Sequence, residues 1–248
     1  MRKIFIWFFI IFSFLSSNIY SSETTKLFLN GISSYKSGNY NETIKDFSQI
    51  IESGISNGKL FYNLGNAYLK NNDLGNAILW YKRALKLIPN DPDLKFNLNY
   101  AISLVRDQKE EDISPFSRIF FFWKYLLNTV TIQWIAILSS FSFFILVSVR
   151  FILKNKILNI ISLFAGFIFV IFTLTSLYIF YEEANFKKGV ILKPEVSVRS
   201  GFDKGSTELF RLHAGTIITI QKSDQEFLKI YFADGKIGWI KKEEIGII

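Results

Sequence analysis

Two long apolar runs without a charged residue constrain this chain more than any other feature. The first, Thr131–Val149, has 19 residues, and the second, Ile157–Tyr181, has 25. A helix needs about 20 apolar residues to cross a bilayer core. Runs this long and this uniformly apolar rarely fold in water. We therefore expect two transmembrane helices, at 129–150 and 157–181, instead of a buried pair of core helices.

The charges around these runs predict their orientation. The connecting loop, 151–156, holds Lys154 and Lys156, and basic loops tend to stay in the cytoplasm. The parts of the chain before and after the two helices should then both lie outside the cytoplasm. Arg118 and Lys124 near the outer end of the first run oppose this bias and make it modest.

Neither run contains Asp, Glu, Lys, Arg or His, which predicts plain anchorage and no ion or proton pathway. The segment before the first run, 113–128, is apolar but contains basic residues and has Trp123 and Tyr125 near its end. This composition is typical of a helix that lies in the membrane interface.

The N-terminus has the composition of an export signal. Arg2 and Lys3 precede the apolar run Ile4–Leu15, and small polar residues follow. A basic segment, an apolar segment of about 12 residues and small residues predict a secretory signal peptide over 1–22. An uncleaved signal anchor is the alternative. Either reading places the following residues outside the cytoplasm, in agreement with the charge of the loop.

Charge and composition exclude several classes of function. The net charge of +8 is not concentrated on one predicted folded region, because residues 22–112 carry 11 basic and 11 acidic side chains. Nucleic-acid binding is therefore not expected. The chain has no cysteine and one histidine, His213. Disulfides, cysteine-ligated zinc and a metal site with several histidines are thus excluded within one chain, and no cofactor, metal or catalytic residue is predicted.

A pattern with a period of 34 residues fills the first part of the chain. The sharper copy, about 58–91, has Leu64-Gly65, then Tyr68, Ala77 and Tyr81, and ends at Pro89. In the weaker copy, about 24–57, Gly31, Thr43, Phe47 and Ile50 stand 34 residues before Gly65, Ala77, Tyr81 and Ala84. A third helix, about 93–107, should cap the pair, with Asp93 as its candidate N-cap. Two unrelated helical hairpins are the alternative reading.

This pattern resembles the tetratricopeptide (TPR) repeat, which implies an all-α domain over 23–110 built from helical hairpins. TPR arrays bind an extended peptide or a helix of a partner in a concave face lined by the first helix of each repeat. Two repeats are fewer than the three usually needed for stability, so the cap, the membrane surface or a partner should supply the missing burial. The candidate groove consists of Phe28, Ile32, Tyr35, Lys36, Tyr62, Asn66, Leu69, Lys70, Phe96, Asn97 and Tyr100.

The groove also has part of the carboxylate-clamp arrangement of some TPR proteins. Asn66 and Asn97 can bond a peptide backbone, and Lys70 can bond a carboxylate. Lys59 would lie on the same face. Asp93 departs from the clamp, which has a basic residue at that position, so a solvated groove without a clamp remains the alternative.

The last 60 residues follow a period of two, which predicts short strands. Val196–Val198, Thr216–Ile220, Leu228–Phe232 and Gly238–Ile240 alternate with turn residues such as Gly201 and Gly215. The segments Val196–Gly201 and Asp234–Ile240 are similar to the first and last motifs of the bacterial SH3 domain, with Ser197 where that family usually has Asn. The resemblance implies a small all-β SH3-like barrel over 186–248. Its candidate binding surface is Arg199 and Trp239, although Trp239 is more often a core residue, and His213 is expected in a turn.

The order of these parts resembles BatE-type proteins of bacterial Bat, or aerotolerance, operons. The resemblance implies a multidomain inner-membrane protein that works beside von Willebrand A-domain membrane proteins and a MoxR-type ATPase, in envelope integrity or stress tolerance. The function expected is therefore a non-enzymatic scaffold for protein–protein interactions, with the TPR and SH3-like domains on the periplasmic side of the inner membrane.

Two other functions compete with the scaffold. The SH3-like domain can contact peptidoglycan, which would make the protein a cell-wall sensor. A hydrolase that uses only carboxylates is also compatible with the residue types, but no paired carboxylates stand on a predicted buried element. The sequence contains no nucleophile–His–Asp arrangement and no phosphate-binding loop, and an enzyme is therefore not expected.

Overall fold

The computed structural model describes residues 23–107, 119, 121–153, 155–203, 205–233 and 235–248. The predicted signal, 1–22, and the first part of the predicted interfacial segment lie outside the described residues. The chain forms two compact units. One combines the helices before residue 108 with the strands at the C-terminus, and the other contains the apolar helices between them.

The first unit begins with helices that form antiparallel hairpins, as the repeat pattern predicts. Helix α1 is described over 23–36. It is followed by α2 (Tyr40–Glu52), α3 (Gly58–Lys70), α4 (Leu74–Leu87) and α5 (Pro92–Ser103). Asn57 caps α3 by accepting hydrogen bonds from the backbone N–H groups of Lys59 and Leu60. Asp73 caps α4 in the same way through the N–H of Asn76.

The cap of α5 differs from the prediction. Asp91, not Asp93, accepts the hydrogen bond from the N–H of Leu94, at 3.0 Å. Pro92 then occupies the first helical turn, where its missing N–H costs nothing and its fixed φ suits a helix. Asp93 lies inside that turn, so its charge favours the helix N-terminus without capping it.

Small residues set the spacing within each hairpin. Gly65 of α3 lies against the buried ring of Tyr81 in α4, and Gly31 lies against the buried ring of Phe47 in α2. Ala77 and Ala84 are also fully buried in α4. The equivalent contacts in the two hairpins are those that the 34-residue pattern predicts.

The C-terminal part of the first unit is an antiparallel sheet of seven described strands. They are β1 (Lys187–Ile191), β2 (Glu195–Arg199), β3 (Glu208–His213), β4 (Ile217–Asp224), β5 (Phe227–Tyr231), β6 (Ile237–Lys241) and β7 (Ile245–Ile247). A short 3-10 helix, Lys242–Glu244, precedes β7. One face of the sheet forms an apolar core from Val196, Val198, Leu212, Ile218, Leu228, Ile230 and Ile240.

The order of the strands is β3-β2-β6-β5-β4-β1-β7. β3 and β7 are the ends of this order, so the described strands form an open sheet, and the closed barrel that the sequence predicts is not found among them. The β1–β7 end is covered by helices instead. Val190 of β1 is fully buried in a cluster with Ala77, Ile78 and Leu94 of the helical hairpins. Covering an edge with a helix protects it as closure would.

Helix α4 forms most of this contact between helices and strands. Gly246 of β7 lies against Leu79, and the guanidinium of Arg83 donates to the carbonyl oxygen of Ile247 at 2.9 Å. The Arg83 guanidinium also lies 4.6 Å from the centre of the Trp80 ring. The β strands therefore supply the burial that two repeats and a cap lack.

A polar cluster closes the other end of the same contact. The carboxylate of Asp107, just after α5, accepts from the N–H of His213 at 2.6 Å and from the hydroxyl of Thr216 at 2.8 Å. His213 Nδ1 lies 3.0 Å from Asp107 Oδ1, and its Nε2 lies 3.1 Å from the guanidinium of Arg106. A guanidinium can only donate. Nε2 must then accept, and Nδ1 carries the proton that is donated to Asp107.

The second unit contains α6 (Phe122–Leu126) and two long apolar helices, α7 (Thr129–Leu153) and α8 (Lys156–Asn185). Both long helices are apolar and long enough to cross a membrane, and few of their residues are buried within the protein. Helix takes up most of the predicted loop 151–156, because α7 continues to Leu153 and α8 begins at Lys156. Asn155 caps α8 by accepting from the N–H of Ile157.

Aromatic and polar contacts join the helices of the second unit. Phe143 of α7 stacks on Phe169 of α8, with ring centres 5.8 Å apart. Trp123 of α6 donates its indole N–H to the hydroxyl of Thr175. Lys124 forms an ion pair with Glu182 at 2.8 Å. Lys124 is one of the two basic residues whose charge opposes the orientation predicted from the loop, and Glu182 neutralises it.

Candidate protein-binding groove

Helices α1, α3 and α5 lie side by side and supply all eleven predicted groove residues. Leu27 and Ile32 of α1 pack against the buried Leu60 and Leu64 of α3. Helix α3 contacts α5 on its other side. The β strands cover α4, which is the second helix of its hairpin. They leave Phe96 and Tyr100 of α5 exposed.

A network of hydrogen bonds links α3, α4 and α5 at the middle of the candidate groove. The hydroxyl of Tyr81 donates to Asn66 Oδ1 at 2.7 Å. The amide nitrogen of Asn97 lies 2.9 Å from the same oxygen and 3.0 Å from the hydroxyl of Tyr62. Burial raises the pKa of Tyr81 far above its ordinary value, so its hydroxyl remains a donor. The two asparagines that the clamp reading assigns to a peptide thus bond each other.

Exposed aromatic rings border this network. Phe96 and Tyr100 of α5 expose 74% and 54% of their surface, which is unusual for large apolar side chains on a packed helix. Phe28 of α1 is 37% exposed and stacks on the buried Phe47, with ring centres 5.8 Å apart. Tyr35 of α1 meets the ring of Tyr40 edge-on, with ring centres 5.5 Å apart. Burial, together with the neighbouring Tyr40 and Tyr62, raises the pKa of Tyr35.

The remaining predicted groove residues fall into two groups. Ile32 and Leu69 are partly buried and pack against the cores of the hairpins. They therefore offer less surface to a ligand than the exposed groove residues do. Lys36 and Lys70 are exposed. They are the predicted groove residues that carry a positive charge.

Lys59 is not free to bind the carboxylate of a peptide, as the carboxylate-clamp interpretation would require. Its ammonium group forms an ion pair with Asp91, and the hydrogen bond from Lys59 lowers the pKa of that carboxyl group. Asp91 is also the N-cap of α5. The pair therefore fixes the start of α5 against α3, and a carboxylate ligand of Lys59 would have to displace Asp91.

Sequence reasoning missed two of the groups that shape this groove. The repeat pattern includes Tyr81 as a large residue, but it does not predict that the hydroxyl of Tyr81 orients Asn66. It also does not predict the ion pair between Asp91 and Lys59. In both cases the partner is 15 or more residues away in the chain, and repeat periodicity does not report such side-chain pairs.

The second predicted surface lies on the outer face of the sheet. Trp239 is partly exposed there, because its strand neighbours Gly238 and Ile240 point to the core. It is therefore not a core residue. Its ring meets the exposed ring of Phe202 edge-on at 5.3 Å. Arg199 is the residue paired with Trp239 on the adjacent strand β2, so the two predicted residues are neighbours.

His213 ends strand β3, where its side chain bonds Asp107, so it is not simply a turn residue. Among the described residues no group of three or more His, Asp or Glu side chains is arranged to hold a metal ion.

Comparison with known families agrees with the helical part of this description. Residues 58–91, which form α3, α4 and the turn after them, match the tetratricopeptide repeat family. No curated protein matches the chain. TPR repeats are a non-catalytic fold that binds other proteins, so the match indicates a role in protein–protein interaction.

Proposed function

We propose that this protein is a non-enzymatic, membrane-anchored adaptor that holds an extended segment of a partner protein in the groove of α1, α3 and α5. The observation that carries the proposal is the exposure of Phe96 and Tyr100 beside the fixed amides of Asn66 and Asn97. Aromatic side chains that protrude beside oriented amides suit a peptide, because rings anchor side chains and amides bond the backbone.

The packing of the first unit supports a particular membrane topology. The helices before residue 108 and the strands after residue 187 share one buried contact, while α7 and α8 lie between them in the chain. Both parts must then be on the same side of any membrane that α7 and α8 cross. This supports a transmembrane hairpin, and the basic residues Arg150 and Lys156 favour its Asn155 end in the cytoplasm and the first unit outside.

The resemblance to BatE-type proteins suggests the class of partner. Partners of that kind are membrane proteins with von Willebrand A domains, and the first unit would meet them on the periplasmic side of the inner membrane. An SH3-like role for the β strands and a link to aerotolerance belong to the same proposal.

The groove can be tested with a displayed library of random peptides selected on the full chain in detergent micelles. Selected peptides should bind roughly tenfold more weakly to Phe96→Ala or Tyr100→Ala, because each removes an exposed aromatic anchor. Leu87→Ala removes a comparably exposed apolar side chain of α4, outside the groove, and should leave binding unchanged. Selected peptides that bind the native chain, Phe96→Ala and Tyr100→Ala with equal affinity would contradict the proposed groove.

Peptidoglycan binding is the competing function, and the ring pair of Phe202 and Trp239 is the observation that favours it, because exposed aromatic faces suit sugar rings. Isolated sacculi should then retain the full chain, and Trp239→Ala should release it. If sacculi retain neither form, the cell-wall function is excluded while the groove function stands.

A further inference from the structure

A row of three cations crosses the outer face of the sheet beside Trp239. Arg199 of β2 is paired with Trp239 of β6, which is paired with Lys229 of β5, and Lys229 is paired with Lys222 of β4. Paired residues of an antiparallel sheet point to the same face, and neighbouring strands lie about 4.8 Å apart. Arg199, Lys229 and Lys222 therefore form a band about 14 Å long, which we call the cation row.

An irregularity in strand β4 places Lys222 in this row. Ile220 is paired with Ile230, but the register shifts and Lys222, not Gln221, is paired with Lys229. In a regular strand Gln221 would take that place and Lys222 would point to the opposite face. Bulges commonly redirect a side chain in this way. The extra residue thus brings a second lysine opposite the first.

This placement is unfavourable for the isolated protein. Like charges directly opposite each other destabilise a sheet. Within the described part of the chain, neither Lys222 nor Lys229 has an acidic side chain within ion-pair distance, whereas Arg211 on the same sheet has both Glu195 and Glu208. Arg199 is paired with Glu208 on its other side, so the uncompensated positive charge of the cation row lies mainly at Lys222 and Lys229. These two lysines have the charge and spacing to bind a surface that carries several negative charges.

Exposed apolar side chains accompany the row. Phe202 is 51% exposed and Ile237 is 39% exposed, and Ile237 shares the outward face of β6 with Trp239. Aromatic and aliphatic side chains mixed with lysine and arginine are typical of surfaces that lie in the headgroup region of a bilayer. An acidic protein would satisfy the charges but leave these apolar groups without a partner.

Chain connectivity adds a further argument for lipid. Lys187, the first residue of β1, follows the end of the second candidate span, Glu182, by only five residues. A surface tethered so closely meets the lipid headgroups at a high effective concentration. We propose that the cation row docks on anionic lipid headgroups of the membrane in which α7 and α8 are anchored, a step that rests on the proposed anchorage.

The docking can be measured on the full chain in nanodiscs. A single cysteine at Thr219, which lies on the outward face of β4 because its neighbours Ile218 and Ile220 point to the core, would carry an environment-sensitive dye, and the absence of native cysteine keeps the label specific. Dye emission should shift to the blue in nanodiscs with 30% phosphatidylglycerol, but not in pure phosphatidylcholine. High salt should reverse the shift, because it screens exposed charges. The same dye at Ser53, in the turn after α2, should report no difference between the two lipids.

The charge of the row is tested by Lys222→Gln combined with Lys229→Gln. A lysine near an anionic surface contributes a factor of about five, so the docked-to-free ratio should fall roughly 25-fold. Lys45→Gln, which neutralises an exposed lysine of α2, is the matched control. Equal emission in both lipids, or an unchanged shift in the double variant, would overturn the proposal.

Three further outcomes separate this proposal from the alternatives. A chain that floats with neither kind of lipid vesicle would overturn the anchorage and the docking together, whereas a chain that floats with both but shows no lipid-dependent emission would overturn the docking alone. A shift caused by polyglutamate in neutral nanodiscs, with none in anionic nanodiscs, would assign the row to an acidic protein instead of lipid. None of these outcomes depends on peptide binding in the groove.

Discussion

Gly31 and Gly65 act by leaving out a single methyl group. A Cβ atom at Gly65 would lie 2.5 Å from the Tyr81 ring, and one at Gly31 would lie 2.5 Å from the Phe47 ring. Real Cβ atoms do not approach a ring this closely. Both rings are almost completely buried, so neither can turn out into solvent. The glycines are therefore required by the approach of the two helices in each hairpin.

Gly65→Ala should destabilise the hairpin of α3 and α4. Overpacking a core costs about 1–3 kcal/mol, and the better helix propensity of alanine offsets at most about 1 kcal/mol of that. Hydrogen exchange of the α3 and α4 amides, measured by mass spectrometry on the full chain, should accelerate. Gly205→Ala is the control, because a Cβ there meets no atom within 4 Å. Equal exchange in both variants would show that Tyr81 can give way.

Asp107 is the residue on which the polar end of the helix–strand contact depends. Burial opposes its charge, but the hydrogen bonds from the His213 N–H, the His213 ring and Thr216 outweigh this effect and lower its pKa below the ordinary value. Folding then stabilises the ionised form. Asp107→Asn should lower the free energy of unfolding of the first unit by about 1–3 kcal/mol at pH 7.

The pH dependence of this loss follows from the direction of the pKa shift. A carboxyl group with a lowered pKa in the folded state contributes its full stability above its unfolded pKa of about 4, and loses it as the pH falls through the folded value. The difference between the native chain and Asp107→Asn should therefore still be present at pH 5 and shrink below about pH 4. Asp93→Asn, at an exposed position, should show little change in a denaturant titration at either pH. A gap that widens below pH 4 would contradict this role of Asp107.

At the scale of elements, the helical hairpins and the strands share one core. Val190 of β1 is fully buried among residues of α4 and α5. Val190→Ala should cost about 1–3 kcal/mol and should accelerate hydrogen exchange in both helices as well as in β1. Lys188→Ala, an exposed neighbour on the same strand, serves as the control. Faster exchange confined to the strands would mean that the helices fold independently of them.

Repeat periodicity and alternation predicted the elements well, because both depend on local patterns. The hairpins of α1 to α4 follow from Gly65, Tyr81 and their counterparts 34 residues earlier, and four of the strands follow from alternating apolar residues. Periodicity reports which face of an element is buried, but not what buries it. The packing of Val190 and Gly246 on α4 therefore cannot be predicted from the sequence pattern. The open sheet cannot be predicted for the same reason.

The candidate site was predicted in part for similar reasons. Helix register places Tyr62 and Asn66, which are four residues apart, on one face of α3. The ion pair of Lys59 and Asp91 was missed, because it joins residues whose separation of 32 positions lies outside any local pattern. Likewise, the cation row depends on a register shift in β4, and the sequence of β4 contains no glycine or proline at the shift that would predict it.

At the scale of the whole molecule, the shared core and the two apolar helices limit the possible topologies. The strands follow α8 directly, yet they pack on helices that precede α7. A single crossing by either helix alone would separate these two parts by a bilayer, and the buried contact of Val190 would be lost. Two crossings, or none, are the arrangements compatible with the first unit.

Single-cysteine labelling distinguishes these arrangements. Cysteines at Ser53, Asn155 and Ser223 would be treated in cells with a membrane-impermeant maleimide after the outer membrane, if present, is opened. We expect labelling at Ser53 and Ser223 but not at Asn155, because the basic residues Arg150 and Lys156 keep that end of the hairpin in the cytoplasm. Lysis before labelling is the control, since Asn155 is exposed and should then react. Labelling at Asn155 alone would reverse the orientation, and labelling at only one of Ser53 and Ser223 would be incompatible with the shared core.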